Sequence, residues 1–407
     1  MWIDLSPLKK NPEYRYLFFG QFVSFFGTMM SLVALPYQIY QLTHSTLAVG
    51  LLGVVELVPL LITAFIGGAL ADVMDRRKLL IYAEIGMSLG CLILVGNAAL
   101  SHPQLWLVYG VAGVLSALSG LHRPSLDALT PRLVSHEEIQ ATSVLSMFKS
   151  TVGMIGGPAI AGISLASLGS AWTYLFDFLT FLFSILALTQ IKSLAPAETE
   201  EQPSLKSVRD AFRYAISRQE LLGTYIIDFF AMVFAMPNAL FPALALMFGG
   251  TKTLGFLYTA PAIGALLITV FSAWTKKIKH HGAAVAFAAL MWGAFIACVG
   301  LSNQLIWILV FLALAGAADC VSGIFRTTIW NETIPDKLRG RMASLEMISY
   351  MSGPLLGSTQ IGFLASMTST QMAILIGGTL CMTFVILSIL LLPTFWKYRR
   401  ECSLVSA

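Results

Sequence analysis

Nine ionisable residues sit inside long apolar stretches of this chain: Glu56, Arg123, Asp127, Lys149, Asp177, Asp228, Asp319, Arg326 and Glu346. A charge among apolar residues must pair, neutralise or line a wet cavity. Proton binding, ion pairing and recognition of a charged ligand are the chemistries open to such a set. Asp228 lies in Tyr225-Ile226-Ile227-Asp228-Phe229-Phe230, with no basic neighbour on its own helix. A buried carboxyl can be poised to load and release protons near neutral pH, so Asp228 leads the proton-carrier candidates. Glu56, in Val55-Glu56-Leu57, has a similar setting, with direct contact to a basic group on a ligand as its rival role. Asp319 is third, and Asp177 could instead pin a neighbouring helix. Arg123 and Asp127 are four apart and share a helical face, either as a static ion pair or as a gate pair that exchanges partners. Asp319 and Arg326, seven apart, share a face in the same way. Lys149 could answer Glu346 or Asp127.

The elements that must position these residues follow from composition. Of 407 residues, 57% are hydrophobic and 11% charged, and the mean hydropathy is +0.78. A soluble domain spends about a quarter of its residues on charge. A water-soluble enzyme, a disordered chain and a nucleic-acid binder are therefore poor fits, and the scattered formal charge of +4 offers no phosphate-binding surface. An all-α polytopic membrane protein fits. Twelve apolar runs are long enough to span a bilayer, at roughly 16–41, 47–71, 79–100, 104–128, 140–166 and 171–191, then 220–247, 254–275, 283–301, 304–330, 341–365 and 371–394. The runs are long and apolar throughout, unlike the short alternating strands of a barrel. Residues 192–219 form the one long polar stretch, a linker with a short amphipathic helix expected near 205–216.

Basic residues cluster at one set of ends: Lys9, Lys10 and Arg15, then Arg76, Arg77 and Lys78, Arg132, the linker, Lys276, Lys277 and Lys279, then Lys337, Arg339 and Arg341, and last Lys397, Arg399 and Arg400. The other loops hold a single one, Lys252. The positive-inside rule then puts both termini and the linker in the cytoplasm. Glu84, Glu332 and Arg132 fall nearer that cytoplasmic edge. The first apolar run is too long for a cleaved signal peptide. Cys91, Cys298, Cys320, Cys381 and Cys402 make no metal-type spacing. Of the histidines only His122 lies clearly in a span, and the His280-His281 pair reads as a solvated loop. No metal site is expected. Gly67-Gly68 lacks the lysine of a phosphate-binding loop, so enzyme activity is not expected.

The two halves echo each other. Val49-Gly50-Leu51-Leu52 opens the second span and Leu254-Gly255-Phe256-Leu257 the eighth. Arg123 precedes Pro131 much as Arg326 precedes Pro335. The expected organisation is a six-helix bundle over 1–191, a cytoplasmic linker over 192–219 and a second bundle over 220–407. Two parallel six-span repeats mark an alternating-access transporter.

Three stretches carry a family resemblance. The first runs Gly67-Gly68-Ala69-Leu70-Ala71-Asp72-Val73-Met74-Asp75-Arg76-Arg77-Lys78, between spans two and three. Gly68, Asp72, Asp75, Arg76 and Arg77 resemble the signature loop of the major facilitator superfamily. The matching stretch of the second half, Ser272-Ala273-Trp274-Thr275-Lys276-Lys277, has lost the acid. Span five holds Gly153-Met154-Ile155-Gly156-Gly157-Pro158-Ala159-Ile160-Ala161-Gly162, similar to the glycine–proline motif of the superfamily's exporters, with Ala161-Gly162 where a Gly-Gly pair is expected. Arg123-Pro124-Ser125-Leu126-Asp127, Ile334-Pro335-Asp336-Lys337-Leu338-Arg339 and Leu42-Thr43-His44-Ser45-Thr46-Leu47 resemble the branch of enterobactin exporters and macrolide efflux pumps, over nearly the whole chain.

That resemblance implies twelve transmembrane helices in two pseudo-symmetric bundles. It also implies a conformational latch at the signature loop, stabilising the outward-facing state, and a cavity lined mainly by spans one, four, seven and ten. Arg123, Asp127, Lys149, Arg326 and Glu346 become cavity or gate candidates, and Phe229 and Phe230 among others could stack on an aromatic ligand or simply face core and lipid. The implied activity is export of a catecholate-type siderophore, or another amphiphilic small molecule, across a bacterial inner membrane. A proton gradient rather than a cofactor supplies the energy, and a monomer is expected. An anionic cargo would use Arg123, Lys149 and Arg326; a cationic drug would use Glu56 and Asp228. Multidrug or macrolide efflux, lysophospholipid flipping and a non-transporting receptor remain the alternatives.

Overall fold

The structure is a computed structural model that describes residues 4–192, 213–335 and 338–399, with the side chains of 65–73, 339–341, 343–345 and 347–348 outside the description. Of the linker expected at 192–219, residues 193–212 fall outside the described residues, as do Lys337 and the tail from Arg400. Among the described residues the chain is all-α. In order, α1 is Ser6–Lys10, α2 Pro12–Thr43, α3 Thr46–Val73, α4 Arg76–Ala98, α5 Leu105–Leu129, α6 Ile139–Ser167 and α7 Ser170–Thr189. There follow α8 Gln219–Ala235, α9 Phe241–Met247, α10 Thr251–Val270, α11 His281–Leu301, α12 Leu305–Thr333, α13 Arg339–Met367, α14 Thr370–Leu391 and α15 Pro393–Trp396.

Eleven candidate spans, found among the described residues, are long and apolar enough to cross a bilayer. They fall on eleven of the twelve expected runs. The remaining run, 341–365, is α13, whose 29 residues reach about 43 Å. Its serines, glycines and Glu346 make it the most polar of the set. Six prolines (Pro36, Pro59, Pro124, Pro158, Pro261 and Pro354) sit inside helices. Membrane helices tolerate this because neighbouring groups satisfy the freed carbonyl.

The expected single run at 220–247 is discontinuous. The helix stops at Ala235, Met236 is extended (φ −91°, ψ 105°), and a single 3-10 turn leads into α9. Pro237 explains the break: it donates no backbone hydrogen bond and drives the residue before it out of the helical region.

The chain divides into two compact units. The first is Met1–Pro203 with Phe241–Thr259, and the second is Ser204–Leu240 with Ala260–Ala407. In the first, α2 packs on α6 and α7, α3 on α5, and α4 on both α5 and α7. Tyr14, Leu17, Leu80, Leu129, Leu145 and Leu188 close the core near the Arg76 end of α4. In the second, α11 packs on α12 and α14, and α8 on α13 and α14. Small residues set the closeness of that packing. A Cβ on Gly300 would lie 2.6 Å from the Leu375 amide, and one on Gly378 2.5 Å from that of Ala297, so α11 and α14 meet backbone to backbone.

Candidate functional site

In the second unit α8, α12 and α13 bring their polar residues to one cavity of about 210 Å³, lined by Tyr225, Asp228, Arg326, Trp330, Glu346 and Tyr350 among others. Arg326 is its centre and is 9% exposed. Its Nη1 pairs directly with Asp228, and its Nη2 lies 3.7 Å from Asp319 Oδ1. One guanidinium therefore serves two carboxyl groups, an arrangement that with both acids ionised leaves one negative charge for a proton or a cationic group to balance. The Arg326 Nε has no hydrogen-bond partner among the described residues. Tyr225 stacks on Trp330 at 5.4 Å, and the Trp330 indole donates to Thr224 Oγ1 at 2.8 Å. Glu346 is within electrostatic reach of Tyr225.

Asp228, Asp319, Arg326 and Glu346 are thus brought into one neighbourhood. Asp228 is not solitary, as its own helix suggests: its partner arrives from α12. Phe229 and Phe230 do not line the cavity. Phe230 stacks on Phe234 and Phe384 at 5.7 and 4.8 Å, a packing role between α8 and α14.

The first unit holds a separate set. Asp127 is within electrostatic reach of Arg123, Lys149 and His122, so Lys149 has Asp127 as a counter-charge and Arg123 as a like-charged neighbour. Arg123 and Asp127 are exposed, and Lys149 is half-buried. Glu56 is half-buried, with Tyr258 within electrostatic reach and its backbone carbonyl accepting from Ser116 at 2.8 Å. Asp177 is 2% exposed and accepts from Ser31, Cys91 and Thr180. It ties α7 to α2 and α4, the pinning role open to it from its position.

One residue was misplaced by sequence reasoning and the role of another was missed. Glu84, placed nearer the cytoplasmic edge, is 0% exposed. Its Oε1 accepts from Gln21 Nε2 at 2.6 Å and Ser184 Oγ at 2.9 Å, and lies 3.2 Å from His122 Nε2. A usable signal existed. Glu84 is eight residues inside α4, about 12 Å from its start, and Gln21 and Ser184 are polar residues in other apolar runs. His281, expected to be solvated, is 3% exposed, lies 3.5 Å from Glu332 Oε2 and packs its ring against Phe325 at 5.4 Å.

The signature loop ties helix ends together. Asp75 caps α4 by accepting from the Arg77 amide at 3.0 Å. Arg76 donates to the Ala128 carbonyl at 3.0 Å, and Arg77 to those of Leu188 and Thr189 at 2.8 and 2.9 Å. Two cations thus satisfy the carbonyl ends of α5 and α7, where the helix dipole is negative. The side chains at Gly68 and Asp72 lie outside the description.

The glycine–proline motif has two faces. A Cβ on Gly153 or Gly156 would strike the rings of Phe25 and Phe26, at 2.4 and 2.3 Å, and one on Gly157 would meet Met29 Cβ at 2.5 Å. These glycines are recesses for α2 side chains. Gly162 and Pro158 face the backbone of Gly255 on α10. Among the described residues no group of His, Cys, Asp and Glu could hold a metal.

Comparison with known proteins agrees with this architecture. The model of the transmembrane secretion effector family matches residues 3–402. An enterobactin exporter, EntS, from Citrobacter koseri is 26% identical over 401 residues, covering 98% of this chain and 96% of its own. EntS from Escherichia coli is 28% identical over 408 residues, covering 100% and 98%. Among solved structures, a variant of the nucleoside transporter NupG superposes with a TM-score of 0.77 at 11% identity, covering 93% of this chain and 99% of its own. A variant of a POT peptide transporter with alafosfalin gives 0.76 at 12%, covering 96% of each. At that identity the structures speak for the fold alone, whereas the family model spans the chain from end to end. The chain belongs to the transmembrane secretion effector family of the major facilitator superfamily, a family of membrane transporters and not of enzymes.

Proposed function

We propose that this protein is a proton-driven secondary exporter of a catecholate siderophore or a similar amphiphilic small molecule. It works by alternating access of two six-helix bundles, as a monomer in a bacterial inner membrane with both termini cytoplasmic. The full-length likeness to enterobactin exporters supports the cargo class. The observation that carries the coupling is Arg326 held between Asp228 and Asp319 at a cavity. Export driven by an inward proton gradient requires antiport, in which proton and cargo occupy this site in turn. Loss of the proton to the cytoplasm readies the site for cargo, and protonation from the outer face accompanies cargo release. Asp228 is the preferred proton carrier because it lines the cavity and its protonation releases the direct partner of Arg326. Glu56 and Asp319 are its rivals, and Arg123, Asp127 and Lys149 form the corresponding gate group. The signature-loop arginines serve as the latch, and the glycine–proline face as the exporter element. No cofactor is invoked.

The test is transport into liposomes containing the purified protein under an imposed pH gradient, comparing a catecholate siderophore with a cationic dye. Siderophore movement that requires the gradient and fails in Asp228→Asn is the expected outcome. Movement of the dye alone replaces this reading with multidrug efflux, in which the Asp319 side chain, 43% exposed, receives the cation. Normal coupling in Asp228→Asn transfers the carrier role to Glu56 or Asp319. Movement of neither compound removes the exporter reading in favour of lipid flipping or a receptor.

A further inference from the structure

Glu84 is a fully buried carboxylate whose hydrogen bonds are lopsided. Gln21, Ser184 and His122 all address Oε1, and Oε2 has no hydrogen-bond partner among the described residues. Leaving a desolvated carboxylate oxygen bare is costly. A proton resting on that oxygen removes the charge and hence most of the cost. His122 is half-buried, with a side-chain exposure of 16%, and it belongs to α5, which also carries the exposed Arg123 and Asp127. Asp127, five residues further along α5, is within electrostatic reach of His122. The order from outside to inside is therefore an exposed acid, a half-buried imidazole and a sealed acid.

We propose that Glu84 and His122 form a proton-binding site within the first unit, reached through Asp127. This deepens the proton-driven reading above and rests on it only for the role of the site in transport. The proton count is simple. With one exchangeable proton the pair is either carboxylate with imidazolium or acid with imidazole, and is neutral both ways. A second proton, on the bare Oε2, makes the pair positive, with Asp127 as the counter-charge. Loss of the first makes it negative, with Lys149 and Arg123 as counter-charges. Gln21 on α2 and Ser184 on α7 orient the acid without titrating in this range. Among the described residues, the other titratable groups facing this part of α4 are Asp177 and Cys91, bonded to each other at 3.4 Å. Asp177 is seven residues from Ser184 along α7, about 10 Å away, and is saturated by hydroxyl and thiol donors.

Infrared titration of the full chain in lipid nanodiscs reads this site without any cargo or gradient, so it stands apart from the transport assay. The carbonyl stretch of protonated carboxylic acids should show a titrating component in the wild type that disappears in Glu84→Gln and persists in Asp177→Asn. His122→Gln, which leaves the Gln21 and Ser184 contacts in place, should move its midpoint by about one pH unit, a tenfold change in proton affinity. Persistence of the component in Glu84→Gln, or an unmoved midpoint in His122→Gln, overturns the proposal. Should Glu84→Gln fail to fold, the His122→Gln midpoint alone decides.

Discussion

Arg326 is the residue on which the second unit's polar chemistry depends. Removing one member of a buried pair strands the other, a cost of about 3–5 kcal/mol. Arg326→Gln should therefore destabilise the detergent-solubilised protein by that order, measured by thermal unfolding. Adding Asp228→Asn should restore much of the loss, because the stranded charge is then gone. Additive losses would show that the two side chains do not act as a pair. The spacing of Asp319 and Arg326 made their shared face legible, since seven residues is two turns. The Asp228–Arg326 contact was not legible, because the partner lies on a helix far along the chain and nothing local reports it. The partners of Glu84 were not legible for a related reason: Gln21, His122 and Ser184 reach it from α2, α5 and α7, far along the chain.

At the scale of the element, the glycine–proline stretch was legible as close packing but its partners were not. Spacing shows that α6 offers a small face, whereas only three-dimensional structure shows Phe25, Phe26 and Met29 seated in it. Gly156→Val should cost at least the 1–3 kcal/mol typical of overpacking, roughly, and lower export in the liposome assay. Combining it with Phe26→Ala should recover most of the unfolding temperature, because the recess is then no longer needed. No recovery would mean that α6 is disturbed elsewhere. The break after α8 was hidden in plain view. Pro237 sits in a run apolar enough to span, and hydropathy alone does not see a missing amide hydrogen.

For the whole molecule, the number and order of the spans were readable because the bilayer imposes a length and a polarity on each one. The cavity was not, because it is assembled from three separate helices, α8, α12 and α13. The basic loops give a direct check on sidedness. In a background without other cysteines, Lys277→Cys should react with a membrane-impermeant thiol reagent from the face opposite to His102→Cys. Reaction of both from one face would overturn the proposed topology. The network around Glu84 also bears on how the chain is made. Gln21 leaves the ribosome 63 residues before Glu84, whereas His122 follows 38 residues after it and Ser184 100 residues after it. At synthesis rates of about 5–20 residues per second, Glu84 waits roughly 5–20 s for the last of these. A charge at mid-helix costs on the order of 2.5–3.5 kcal/mol to pass from the translocon into lipid. During that wait Gln21 is its one available partner in this network. The first span thus shelters the third while the rest of the protein is still being translated.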